Sequence, residues 1–404
     1  MSYLNNNFLH IIILFLIGLV SYATSIDNFM NLPLWPDVQT YQSIANNLNY
    51  NPFNSDFREP LWIWIIKFSE FFPGNEEFII RTTSYLFYFF TCTFFYLFCK
   101  NIINNRFISL LATIVLLLHP HLIVIGFSGI RDNGINIIIL LFAYLYYIYS
   151  FKKVKNYLIL LTCLAVLIKS NLFMSFLIIN LIIAVYKKNY SYFIYSVIFS
   201  FSFLIIILFY QYLRFDDFFY ATNVHTIWAR NYEFCYLERL HYELCPSKEI
   251  LSQNMYAGPK VTAYEYLFSY RPFIDLVYQS IRGYIFIYVD KLFSNSYSFS
   301  YLFQTSIYFN IHFLSYLFAL SIIFLQIIGI ISLLFKKNIL LLFIPILICN
   351  FSSILTAPPL AVDYRIFSYF YYFQFIYISV GLILIFNSIT SLFGKNLDVF
   401  RSSL

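Results

Sequence analysis

Long apolar runs separated by short polar breaks make up most of this chain. The runs predict helices near 8–24, 78–99, 107–121, 134–151, 157–168, 172–186, 191–213, 306–335, 339–356 and 366–388. A spanning helix needs about 20 apolar residues, so this pattern reads as about ten crossings of a membrane. The fifth and sixth runs are short and flank Lys169-Ser170-Asn171, so a broken or re-entrant pair is an alternative there. The run 306–335 is long enough to begin outside the bilayer. The first run, Phe8 to Ala23, has no basic start and no clear small-residue cleavage site, and reads as a retained helix.

The polar breaks are of two kinds, and they alternate. One kind is basic: Lys100–Arg106, Lys152-Lys153 with Lys155, Lys187-Lys188 and Lys336-Lys337, with no acid among them. The other kind carries the carboxylates. Asp27, Asp37, Asp56, Glu59, Glu70, Glu76 and Glu77 lie in the first break, and Asp132 in a short one. Nine acids run from Asp216 to Asp290, and Asp363 precedes the last apolar run. Cytoplasmic loops of membrane proteins are rich in Lys and Arg. Placing the N-terminus inside therefore puts every basic cluster in the cytoplasm, with Lys395 and Arg401, and leaves Asp398 the only acid there. Both termini are then cytoplasmic. The outer side receives a loop at 25–77, short links at 119–133, 169–171 and 357–365, and a larger segment at 214–303.

The expected fold is thus an all-α polytopic membrane protein whose first outer loop carries interfacial helices. Residues 1–213 form a membrane module, with loop 25–77 as the place of chemistry; 214–303 is an outer-face segment; 304–404 holds the C-terminal transmembrane helices. Composition agrees. The 404 residues are 61% hydrophobic and 11% charged, against about 25% charged in a soluble domain. Aromatics reach 23%, but with the abundant Ile, Asn and Lys this is partly what an AT-rich genome gives, so it is not read as a carbohydrate platform. The basic breaks account for the net charge of +6, and no nucleic-acid partner follows from it. No P-loop, zinc motif or dinucleotide fingerprint occurs, which argues against an ATP-driven pump.

Cys92, Cys99, Cys163 and Cys349 lie in apolar runs and read as inert core residues. Cys235 and Cys245 share the large outer segment; they either pair as a disulfide in an oxidising compartment or stay as free thiols.

Five places on the acidic side could carry chemistry. The first begins Trp35-Pro36-Asp37, with Asp37 as the N-cap of a helix whose Tyr41, Ile44, Ala45 and Leu48 share one face, as in a helix lying on the membrane. Asp37 is either a cap or a reactive carboxylate. The second is Arg58-Glu59-Pro60-Leu61-Trp62, where Pro60 suits a first helical turn and Glu59 the positive end of its dipole. Arg58 either clamps a phosphate or joins a surface salt bridge. The third is His119-Pro120-His121 and then Arg131-Asp132, which either neutralise each other or cap the fourth helix. Lys169 is the fourth, snorkelling to the surface or meeting an anion. Asp363-Tyr364-Arg365 precedes the last helix, where Arg365 can reach a lipid phosphate. Tryptophans Trp35, Trp62, Trp64 and Trp228 all fall in these outer parts, the usual interfacial position.

Order and placement of these residues resemble the GT-C superfamily, membrane-embedded glycosyltransferases that use polyprenyl-phosphate-linked sugars. The resemblance rests on Asp37 before Tyr41, Ile44 and Ala45; on Arg58, Pro60 and Leu61; on Arg131-Asp132; and on Asp363-Tyr364-Arg365. It covers roughly residues 1–190 and, more weakly, the last 50. It implies that Asp37 is the catalytic carboxylate, taking the proton of an acceptor hydroxyl. It further implies that Arg58, Arg131, Lys169 and Arg365 stabilise the leaving phosphate, beside Glu59 and Asp132. Trp35 and Tyr41 belong to the acceptor side. Val38 stands where some members carry a second acid, and no Trp-Trp-Asp signature occurs, which argues against transfer of a whole glycan to asparagine. A divalent cation held by Asp37 with Glu59 or Asp132 is left open. The expected partners are a polyprenyl-phosphate-sugar donor, the bilayer, and a glycan, lipid or protein acceptor, in a bacterial inner membrane.

Two other readings remain at this point. A polymerase of O-antigen or capsule repeat units would use Arg214, Arg230, Arg239, Arg271 and Arg282 of the large segment. A lipid-linked sugar flippase or other transporter would bury charges at mid-membrane, on broken helices.

Overall fold

The computed structural model describes residues 2–31, 34, 36–48, 58–218, 312–335, 339–354 and 364–392. Trp35, the segment with Cys235 and Cys245, and Asp363 lie outside the described residues. Among the described residues every regular element is helical. The helices are α1 (Ser2–Met30), α2 (Pro36–Asn46), α3 (Pro60–Lys67, continued by the 3-10 turn Phe68–Phe71), α4 (Glu76–Ile103), α5 (Arg106–Leu117), α6 (Pro120–Phe127) and α7 (Asp132–Ile148). They continue as α8 (Phe151–Ile168), α9 (Leu172–Lys187), α10 (Tyr190–Phe215), α11 (His312–Phe335), α12 (Ile339–Ile354) and α13 (Tyr364–Leu392).

Local chemistry sets the boundaries. Pro60 and Pro120 sit at the first turns of α3 and α6, where a missing N–H costs nothing. Asn105 and Asn189 cap α5 and α10 by accepting from the backbone N–H groups of Ile108 and Tyr192. Asn104, Lys188 and Asp216 end α4, α9 and α10 in the left-handed region. Where the sequence predicts one helix over 107–121, Pro120 divides it into α5 and α6. The expected break in the fifth and sixth runs is only the turn at 169–171 between two continuous helices, α8 and α9. Helix α8 starts at Phe151, so the lysines of that break lie in its first turns, with Lys152 and Lys153 exposed beside buried Val154.

Among the described residues four helices are long and apolar enough to cross a membrane: Asn7–Met30, Glu76–Ile103, Tyr190–Phe215 and Tyr371–Ser388. Arg106–Leu117, Asp132–Ile148, Leu172–Lys187 and Phe324–Phe335 are apolar but shorter. The all-helical architecture agrees with the expectation; by length and composition the described helices establish four of the expected spans, and the count of about ten stays an expectation. Helix α10 shows what faces lipid: Ile194, Ile198, Phe201, Ile205 and Phe209 form an exposed apolar stripe at helical spacing.

The core is a ring of neighbours. Helix α4 packs on α5, α6 and α7, α7 on α8, and both α8 and α9 on α10. Helix α12 joins α9 to α13, which reaches back to α4, α5 and α7. Helices α11 and α13 approach so closely that a Cβ at Gly329 would overlap the Tyr377 carbonyl, and one at Gly381 the Leu325 carbonyl. Close crossings through small residues are how helices pair where water supplies no hydrophobic drive. Asn180 ties three helices together by donating to Thr162 of α8 (3.0 Å) and Ser196 of α10 (2.7 Å).

The bundle has two chemically distinct ends. At one, Lys100 donates to Asn7 (3.1 Å), and the Lys187 ammonium lies 5.4 Å from the Tyr146 ring. The other end receives α2, α3, the α6–α7 turn, the α8–α9 turn and the start of α13, and it holds the candidate site.

Candidate active site

Helix α2 presents Val38, Tyr41, Ile44 and Ala45 on one face, Leu48 follows just beyond its end, and all five are buried. The sequence suggested that this face lies on the membrane. It packs instead on α3 and the protein core. Pro36 begins the helix, so Asp37 falls within its first turn rather than at the N-cap, still favoured there by the helix dipole. Its carboxylate accepts a hydrogen bond from Arg58 (3.3 Å), whose guanidinium lies 5.3 Å from the centre of the Tyr41 ring. The Arg58 side chain is 9% exposed and that of Asp37 32%, so this is a half-open pair rather than a surface bridge. Burial pushes the Tyr41 hydroxyl above its ordinary pKa, against the opposing fields of Arg131 and Arg58.

Glu59 precedes α3 as its N-cap residue but makes no capping bond. Its carboxylate accepts instead from Arg131 and from both the backbone N–H (3.0 Å) and the hydroxyl (3.1 Å) of Ser170. One side chain thereby joins the starts of α3, α7 and α9. Burial alone would raise its pKa; Arg131 and the Ser170 N–H outweigh that and hold it below the ordinary glutamate value of 4.5. A depressed folded-state pKa contributes stability above the unfolded value, lost as pH falls through the folded one. Thermal unfolding should therefore show Glu59-dependent stability that is constant at neutral pH and declines below about 4.5; a Glu59→Gln variant should lack that limb.

The third group joins distant segments. Asp132 opens α7 and accepts a hydrogen bond from Tyr369 of α13. The Lys169 ammonium lies 5.6 Å from the Tyr369 ring centre. Asp132, Lys169 and Tyr369 are all buried, so Lys169 does not snorkel to the surface. Nor do Arg131 and Asp132 neutralise each other: Arg131 turns to Glu59 and Asp132 to Tyr369.

The turn that separates them is tightly built. Gly129 adopts φ +78°, and its carbonyl accepts from the Trp62 indole (3.0 Å). Trp62 is therefore a buried clasp between α3 and the α6–α7 turn, not an interfacial anchor. A Cβ at Gly129 would come within 2.8 Å of Ile80 and 3.1 Å of Val38. Gly129→Ala should cost at least about 1 kcal/mol from the left-handed backbone alone, more with the steric overlap. Thermal unfolding of the purified variant checks this; an unchanged midpoint would show that the turn can reshape.

Of the residues singled out in the sequence, Asp37, Tyr41, Arg58, Glu59, Arg131, Asp132 and Lys169 meet at one end of the bundle. Arg365 follows the first residue of α13, one helical turn before Tyr369. Sequence reasoning missed Ser170, Tyr369 and the Trp62–Gly129 clasp. The left-handed glycine had a local signal, in the Gly-x-Arg-Asp break; Tyr369, within an apolar aromatic run, had none. The described carboxylates face Arg58, Arg131 and Tyr369, and among the described residues no three His, Cys, Asp or Glu side chains gather.

Over 134 residues the chain is 33% identical to an undecaprenyl phosphate-alpha-4-amino-4-deoxy-L-arabinose arabinosyl transferase from Wigglesworthia glossinidia brevipalpis. That relative's name joins undecaprenyl phosphate to sugar transfer, in line with the resemblance drawn from the sequence. The match covers 31% of this chain and 24% of that relative, so the chain spans about a quarter of the relative's length. No family model matches, and no solved structure does. The acid and the cations lie together at the end of a bundle of apolar helices.

Proposed function

We propose that the protein is a membrane glycosyltransferase that moves a sugar from a polyprenyl-phosphate-linked donor to an acceptor at the periplasmic face, in cell-surface glycan biosynthesis. The observation that supports this reading is that the Asp37–Arg58 pair and Lys169, linked through the bonds of Glu59 to Ser170, share one end of a bundle of apolar helices, opposite the basic end. The positive-inside rule then puts the basic end and both termini in the cytoplasm and the cluster outside. Similarity to an enzyme whose name carries undecaprenyl phosphate and arabinose supports a lipid-phosphate donor.

In this reaction the acceptor hydroxyl, a weak nucleophile, gives its proton to Asp37 as its oxygen attacks the sugar's anomeric carbon. The bond from that carbon to the lipid-phosphate oxygen breaks, and the phosphate leaves with the electron pair. Arg58, Lys169 and Arg365 supply the positive field for that charge. Arg131 and Glu59 hold the α7 and α9 starts in register, which fixes Lys169 next to Ser170.

Deleting the protein from its host tests the reading. The expected result is a surface glycan lacking one sugar, with the polyprenyl-phosphate-linked sugar accumulating in the membrane. A ladder collapsed to single repeats would indicate a polymerase, and an unchanged profile with no accumulated donor would overturn the proposal.

A further inference from the structure

Tyr369 is one of the largest fully buried side chains in the described residues, and it belongs to α13, 237 residues along the chain from Asp132. Its two ends do different things. The hydroxyl donates to Asp132 at the start of α7. The ring faces the Lys169 ammonium at 5.6 Å, within the range over which a cation is drawn to an aromatic face. A hydrogen bond to a charged acceptor is stronger than a neutral one and fixes the ring's rotation. A ring so fixed restricts the rotamers of a long, flexible lysine. The Lys169 backbone is extended, between the end of α8 and Ser170, which Glu59 grips by backbone and hydroxyl. Lys169 is thus held at its root from one side and at its tip from the other.

We propose that Tyr369 is a positioning residue of the site: it sets the Lys169 ammonium for the lipid-linked phosphate, with Asp132 locking the ring in place. This rests on the glycosyltransferase reading and gives the C-terminal helix a second part in the site, beside Arg365 at its start.

The test is binding of undecaprenyl phosphate to the purified full-length protein in nanodiscs, for wild type, Lys169→Gln, Tyr369→Leu and the double variant. Loss of a desolvated cation–ring contact should weaken binding about tenfold. The expected result is a similar loss in each single variant and no further loss in the double. Tyr369→Phe keeps the ring and volume, so it serves if Tyr369→Leu does not fold; it should lose a smaller part, and no more when combined with Asp132→Asn. Additive losses in both cycles, or wild-type affinity in the Tyr369 variants, would overturn the proposal while leaving the enzyme reading intact. Wild-type protein that does not bind undecaprenyl phosphate would overturn both.

Discussion

Replacing Asp37 by Asn is expected to abolish sugar transfer while the protein accumulates to its normal level. Asn keeps the size of the side chain and an oxygen that can accept from Arg58, but it cannot take a proton. A positioned general base contributes typically 10²–10⁴-fold, so residual transfer should fall at least about 100-fold. The Arg58–Asp37 pair is half open, and losing its charge should cost about 1 kcal/mol or less. The decisive comparison is therefore between activity and stability in one variant. Donor turnover in membranes, read beside the thermal unfolding midpoint, separates the two. Near-normal turnover would reduce Asp37 to a structural residue of α2.

Glu59→Gln should show the opposite pattern, a large loss of stability. The Glu59 and Arg131 side chains are each 12% exposed, and Arg131 would stay buried without its counter-charge. Removing one partner of a buried pair costs roughly 3–5 kcal/mol, and the partial exposure of both places the expectation near the lower bound. Glu70→Gln provides the contrast. Its partner Lys67 is 25% exposed and Glu70 itself 34%, so the change should cost under about 1 kcal/mol. Unfolding of both variants in the same detergent checks the difference. Equal midpoints would mean that water reaches the Glu59–Arg131 pair more freely than the structure indicates.

Much of this was legible because it is local. Apolar runs form helices wherever they lie, Pro60 and Pro120 start them, and charged breaks mark their ends. The grouping of Asp37, Arg58, Arg131 and Lys169 followed from counting helices, since alternate turns of a bundle must fall at the same end. The helix around Asp37 shows where local pattern fails. An apolar face at helical spacing looks the same whether lipid or protein covers it, and only α3 packed against Val38 and Tyr41 decides for protein.

Side-chain partners were another matter. Arg58 and Arg131 look equivalent in the sequence, each an arginine beside an acid. In the fold Arg58 reaches Asp37, 21 residues away, and Arg131 reaches Glu59, 72 away. Tyr369 finds Asp132 across 237 residues. The sequence by itself determined the helices, the two unlike ends and which residues share an end. Tertiary structure alone decided which charge meets which, because residues so far apart come within hydrogen-bonding reach only once the helices that carry them pack together, as α2 does on α3 and α13 on α7.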